Sequence, residues 1–309
     1  MKNKEYLERL FDSDKPLIIY RVKNGFDVYT DFLNVVKLTK KNAKSFFENT
    51  SNKKNTNNKF FDGYIGFLSY ELQCKLINVY LPKQKSNGFR DSIFYKPETL
   101  IKIRKNIQIF STISNKKREK MLHISNKKFF YEKKFKVSLS LKQYKKLFIN
   151  FSKKIREGKT YQIKICQKYR NKSNIDSVQF FWKLMKINTS PEAFMIRDSN
   201  FSIISCSPET LIDKKKNKII TKPIAGTFKK KLLSNKNIAL KYFKNNEKET
   251  KEHNMIVDME RSDLSKICKP GSVKILKKKY VEEYKHLFHY VTSIGGILNK
   301  NTKLIDIIK

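Results

Sequence analysis

The run AFMIRDSNFSIISCSPETLIDKKKNKIITKPIAG, residues 193–226, constrains the fold of this chain more than any other stretch. Apolar segments of strand length recur there, divided by turn-forming groups such as Asp-Ser-Asn and Ser-Pro-Glu. Connections this short allow antiparallel neighbours and exclude the long crossover that a parallel pair needs. Residues 17–37, LIIYRVKNGFDVYTDFLNVVK, repeat the pattern as a hairpin around Asn24-Gly25. TLIKIRKNIQIFSTI, 99–113, alternates as a strand pair does, and TYQIKICQKYR, 160–170, reads as a further strand.

Helical spacing marks SLKQYKKLFINFSKKIREGK, 140–159, which ends at Gly158 as a C-terminal cap. SVQFFWKLMKIN, 177–188, is a second helix. NEKETKEHNMIVDMERSDLSKIC, 246–268, is a long third one, with its acidic residues early, as the helix dipole prefers. This order predicts an α+β fold with a mostly antiparallel sheet, not a doubly wound βαβ fold. The polar stretch 49–60 reads as a loop, and the charged, irregular stretch 114–140 as a boundary between two domains, 1–137 and 138–309.

The net charge of +40 raises the question of a nucleic-acid or membrane partner. The lysines, however, are spread over the whole chain, arginine is scarce, and Asn and Ile are abundant beside Lys, the signature of an A/T-biased codon pool. We read the charge as compositional, which leaves a basic nucleic-acid-binding protein as the competing class. Twenty-three Phe and fifteen Tyr supply a real core. No window has the apolar length of a membrane span and the start lacks a secretion signal. The four cysteines are widely spaced, with no Cys-x-x-Cys pair. A reduced, cytoplasmic setting is the expectation.

Several residues carry candidate chemistry. Glu249, Glu252 and His253 fall at i, i+3 and i+4, so one helix face presents two carboxylates and an imidazole; the hard carboxylate oxygens suit Mg2+, and the pattern is also that of a solvated, ion-paired surface. Glu209, after Ser207-Pro208, is expected just past a strand end, partly desolvated and able to act as a general acid. His289 is a candidate acid or base. In ITKPIAGTFKKK, 220–231, a tight turn is expected, with Gly226 allowing close backbone approach to a carboxylate and Thr227 adding a donor. It lacks the phosphate-loop pattern.

Taken in order, GKTYQIKICQ, CSPETLI, TKPIAGT, KETKEHNMIVDMERSDL and VEEYKHLFHYVTSIGGIL closely resemble the motifs of the chorismate-utilising synthases. That family includes component I of anthranilate synthase, component I of aminodeoxychorismate (para-aminobenzoate) synthase, and the isochorismate and salicylate synthases. The likeness runs from about Leu141 to the C-terminus, and GYIGFLSYEL, 63–72, resembles the N-terminal part of the two aminating members.

The resemblance implies a large, mostly antiparallel β-sheet sandwich flanked by helices, with 1–137 as the N-terminal region and 138–309 as the chorismate-binding catalytic domain. It implies Mg2+ held directly by Glu252 and through water by Glu249, against the ring carboxylate of chorismate. It further implies Glu209 as the acid that protonates the departing C4 hydroxyl, His289 as the residue assisting pyruvate elimination, and Ala225, Gly226 and Thr227 as the lining of the chorismate site. The water-activating branches carry lysine at the position of Gln162, so the resemblance is to an aminating enzyme, fed with ammonia by a glutamine amidotransferase subunit.

Alanine at 225, where aminodeoxychorismate synthases often have lysine, points toward anthranilate. TYQ, 160–162, and MERSDL, 259–264, resemble the aminodeoxychorismate branch, which stays open. The family's chain continues past GGIL, read here as helical, whereas this sequence ends in LIDIIK. The resemblance therefore implies a C-terminally shortened chain, inactive and marginally stable alone, or a folded but catalytically dead fragment.

Overall fold

A computed structural model of the chain describes residues 3–51, 63–81, 92–123 and 128–309. The chain divides into two compact bodies, residues 1–125 with 177–309, and residues 126–176. The first body opens with α1 (Asn3–Asp12), β1 (Leu17–Val22), β2 (Gly25–Lys37), α2 (Ala43–Ser51), β3 (Ile65–Leu68), α3 (Tyr70–Leu76), β4 (Ser92–Ile103), β5 (Ile107–Ser111) and α4 (Asn115–Lys120). The second body holds β6 (Lys136–Val137), α5 (Leu141–Arg156) and β7 (Tyr169–Arg170). The chain then returns to the first body with α6 (Ser177–Ile187), β8 (Glu192–Arg197), β9 (Ser202–Ser207), β10 (Asp213–Lys215), β11 (Lys218–Thr221) and β12 (Ile224–Lys229). It finishes with α7 (Lys236–Asn245), α8 (Glu247–Ile267), β13 (Lys274–Glu283), β14 (Leu287–Ile297) and α9 (Leu304–Ile308).

Two antiparallel sheets organise the first body. The seven-stranded sheet runs β3-β4-β2-β1-β8-β9, with β5 beside β4. Its strand β1 is apolar at successive positions because both faces are covered. Leu17 and Ile19 join Tyr6, Leu10 and Phe181 under α1 and α6. Ile18, on the opposite face, packs with Tyr29, Tyr95 and Ile196. Arg197 fastens α1 to this sheet, donating to the carbonyls of Leu10, Phe11 and Lys15. The five-stranded sheet runs β10-β11-β14-β12, with β13 also on β14. Phe243 from α7 stacks on Tyr290 of β14 with ring centroids 4.7 Å apart, and both are buried.

The hairpin at 17–37 forms with Lys23-Asn24 as its loop, because Val22 pairs with Gly25. A side chain at Gly25 would collide with the Ile103 carbonyl, which explains the glycine. The helices expected at 140–159, 177–188 and 246–268 are present as α5, α6 and α8, and Gly158 adopts φ +69° beyond α5. All the paired strands of both sheets are antiparallel.

Other expectations differ from the structure. Compactness does not divide the chain at 137/138: β1 pairs with β8, so the N-terminal region and residues after 177 share one sheet. The expected strand 160–170 is reduced to Tyr169–Arg170, paired with β6, since the preceding residues have no described strand to bond with. GGIL is not helical, because Gly295 to Ile297 extend β14 against β11. The stretch 114–140 contains α4 and β6. Of the loop expected at 49–60, the first residues end α2 and those from 52 onward lie outside the described residues.

Candidate active site

The stretch 220–231 is a bulged strand, not a tight turn. β12 pairs with β14 at Ile224↔Val291 and resumes at Thr227↔His289, so Ala225 and Gly226 together oppose Tyr290. Gly226 has φ +114°, a conformation that side chains disfavour. A Cβ there would lie 3.0 Å from the Phe243 ring and 3.1 Å from Glu249 Oε2. The missing side chain is what admits the Glu249 carboxylate to the bulge. Ala225 is buried and Thr227 exposed.

Helix α8 brings that carboxylate. Asn246 caps it, its side chain accepting the Glu249 N–H at 3.1 Å, and Glu247 and Glu249 favour the helix dipole. Glu249 and Glu252 are both half-buried on the first turns. His253 is not with them as a ligand: it is fully buried and both its ring nitrogens are engaged. Nδ1 lies 3.0 Å from the Ala225 carbonyl, which can only accept, so Nδ1 carries the proton. Nε2 accepts the Thr292 hydroxyl at 2.7 Å. Burial holds its pKa below the usual histidine value. The imidazole is neutral and ties α8 to both β12 and β14.

His289, on β14, places Nδ1 3.1 Å from the Thr227 hydroxyl and 3.4 Å from the Gly226 carbonyl. Burial lowers its pKa too. Among the described residues Nε2 takes no hydrogen bond, which leaves that nitrogen for a proton from a ligand. Glu209 is exposed, contrary to the desolvated site expected. Its Oε1 accepts the Ile224 N–H at 2.9 Å, and this bond anchors the loop after β9 on the start of the bulged strand. Glu209 also lines a cavity of about 510 Å³ over the face of β1 and β8, with Tyr20, Glu192 and Phe194.

The sequence reading missed several groups that complete this region. Tyr284, in the loop between β13 and β14, lies edge-on to His289 at 5.2 Å. Its hydroxyl reaches Glu282 at 2.9 Å and the Pro208 carbonyl at 3.2 Å. Only the β13–β14 register, which pairs Glu282 with His289, brings these residues together, and no linear motif announces it. Glu260 accepts the Thr221 hydroxyl at 3.2 Å, and burial raises its pKa. This one had a signal: Glu249, His253, Val257, Glu260 and Leu264 fall on one helical stripe, so a glutamate between buried Val257 and Leu264 is out of character.

Among the described residues no group of three or more His, Cys, Asp or Glu converges as metal ligands do. Glu249 and Glu252, both half-buried and one turn apart on α8, are hard oxygen donors of the type that Mg2+ takes, one or two at a time with water completing its shell. Gln162 belongs to the other body, on the extended stretch after α5, where its carbonyl accepts the Thr160 hydroxyl at 3.2 Å. The structure thus brings together Glu209, Ala225, Gly226, Thr227, Glu249 and His289 in the first body, with Glu252 one turn along α8.

Residues 11–309 match the family of chorismate binding enzymes. Anthranilate synthase component 1 of Saccharolobus solfataricus is 33% identical over 172 residues, covering 55% of this chain and 41% of that protein. Aminodeoxychorismate synthase component 1 of Bacillus subtilis is 33% identical over 155 residues, covering 50% and 33%. The chain thus spans less than half the length of these curated relatives in the matched regions. Anthranilate synthase component I of Streptococcus pneumoniae superposes with a TM-score of 0.70 at 20% identity, over 96% of this chain and 70% of that one. The menaquinone-specific isochorismate synthase of Escherichia coli gives 0.66 at 11%, over 97% and 69%. These two show a shared fold. The match over nearly the whole chain settles the family: this protein belongs to the chorismate binding enzymes.

Proposed function

We propose that this chain carries the chorismate site of an enzyme that aminates C2 of chorismate with glutamine-derived ammonia, in a Mg2+-dependent reaction, and that the product is anthranilate with release of pyruvate. The observation that carries the reading is the contact of the Glu249 carboxylate with side-chain-free Gly226, which joins the carboxylates of α8 to the strand bearing Thr227 beside His289. Glu249 and Glu252 would hold Mg2+, which when bound would supply charge neutralisation for the ring carboxylate of the substrate.

The chain's own residues account for the proton movements. Ammonia adds at C2 as the C4–O bond breaks, and Glu209 delivers the proton with which the hydroxyl leaves as water. His289, neutral because it is buried and with Nε2 open, then takes the proton from C2 as the C3–O bond breaks and the ring becomes aromatic. The released enolate is protonated at its methylene carbon to give pyruvate, and the proton lost by the new ammonium group replaces the one Glu209 gave up. Thr227 orients the imidazole through Nδ1. Ala225 offers no amine of its own to compete with ammonia, and Gln162 has no basic nitrogen with which to activate water. A glutamine amidotransferase subunit is the proposed ammonia source.

The second reading, aminodeoxychorismate formation, is favoured by the Bacillus subtilis relative, whose identity equals that of the anthranilate relative. Incubation of the full natural chain with chorismate, Mg2+ and ammonium, with products identified by mass, separates the two. Anthranilate plus pyruvate supports the proposal. Aminodeoxychorismate without pyruvate selects the second reading, and isochorismate overturns both.

A further inference from the structure

The loop between β13 and β14 does more than turn the chain. Lys285 Nζ donates to the Lys186 carbonyl at 2.5 Å and His286 Nε2 to the Ile187 carbonyl at 3.1 Å, so both side chains cap the C-terminus of α6. The adjacent Tyr284 turns the other way. Its hydroxyl lies between the Glu282 carboxylate at 2.9 Å and the carbonyl of Pro208 at 3.2 Å, so one proton serves two acceptors. Pro208 immediately precedes Glu209, and the Tyr284 ring is edge-on to His289 at 5.2 Å. The loop itself is held by the Tyr284 N–H on the Leu287 carbonyl at 2.9 Å.

Glu209 is exposed and its only other described restraints are the Ile224 N–H and a weak pairing with Ser207 at 3.4 Å. A side chain on such a loop needs an additional tether to stay aligned with a group on another strand. We infer that Tyr284 is a positioning residue: its hydroxyl, braced by Glu282, holds the Pro208–Glu209 loop in register with His289. The loop's grip on α6 gives the tether a fixed base. Tyr280 is the natural control, since its hydroxyl meets the other Glu282 oxygen at 3.3 Å and reaches neither Pro208 nor His289 in any described contact.

The consequence for activity rests on the chorismate reading, so the test has two arms. In the full natural chain, Tyr284→Phe lowers kcat for chorismate by about tenfold, because misalignment by a fraction of an ångström acts on the transition state, while KM stays within about twofold. Tyr280→Phe leaves both within about twofold. An unchanged kcat in Tyr284→Phe, or a change confined to KM, overturns the inference. The second arm needs no substrate: hydrogen exchange at the Glu209 amide is faster in Tyr284→Phe than in wild type or Tyr280→Phe. Equal exchange in all three overturns the tether whatever the enzyme does. Altered exchange with no chorismate turnover by wild type leaves the tether standing and removes the chorismate reading.

Discussion

Helices α5 and α8 are both amphipathic by sequence, yet they differ in what becomes of their apolar faces. Along α5, Leu141, Tyr144, Phe148 and Ile155 recur at helical spacing, a capping box closes the N-terminus, and no residue is buried. Along α8, His253, Val257 and Leu264 are buried, although the stripe is interrupted by charge at Glu249 and Glu260. Periodicity therefore specifies a helix and one face of it, but not whether anything covers that face. The helix with the less regular stripe is the one that carries candidate chemistry. A polar group within a buried stripe costs stability unless it is satisfied, so its presence marks function more clearly than a regular pattern does.

The comparison is open to attack by substitution. The largest effect is expected on the sheet that α8 rests against: Phe243→Ala, removing a fully buried ring from its stack on Tyr290, destabilises the chain by about 3–5 kcal/mol in urea unfolding. Gly226→Ala is next. It introduces a Cβ at φ +114° against Phe243, Glu249 and Tyr290, and costs about 2 kcal/mol or more while displacing the Glu249 carboxylate. A wild-type unfolding midpoint for that variant breaks the claim that the bulge depends on glycine.

A smaller, opposite effect is expected at Glu260. Burial raises its folded pKa above the unfolded value, so the unfolded state holds fewer protons once pH exceeds about 4.5. The carboxyl's contribution is thus fully present below that pH and is lost as pH rises through the folded value. Glu260→Gln removes this loss, so the variant is more stable than wild type at pH 7 and the advantage shrinks toward pH 4; thermal melts across that range check the sign. The smallest effect is on α5: Phe148→Ala, at a side chain 56% exposed, shifts stability by no more than about 0.5 kcal/mol. A cost of several kcal/mol there destroys the contrast between the helices.

Much of the fold was legible because its signals are local. The turn signal of Asn24-Gly25, alternation over 99–113 and helical spacing over 246–268 each act within a few residues, and the structure has the corresponding elements, with the hairpin loop one residue earlier at Lys23-Asn24. The motif order identified the family and singled out Glu209, Gly226, Glu249 and His289, which the fold brings into one region. The role of His253 was not legible: helical spacing puts it on the face of Glu249 and Glu252, but the ring is turned inward to Ala225 and Thr292. The bulge at Ala225-Gly226 was mistaken for a turn because the same residues suit both.

The sequence by itself determined most of the strands and helices, though not the strand at Gly295–Ile297 or the bulge at Ala225-Gly226, and it determined that the strands pair antiparallel and which family the motifs belong to. Backbone conformation and turn type depend on neighbours a few residues away, which a linear reading contains. Only the tertiary structure decided that residues 1–125 share one sheet and its core with 177–309, that Glu249 fills the space of an absent side chain at Gly226, and that Tyr284 reaches Pro208. Each of these depends on strand register and close packing between distant segments. A shift of one residue in β13 against β14 would turn Glu282 away from His289, and no local pattern in the chain records that alignment.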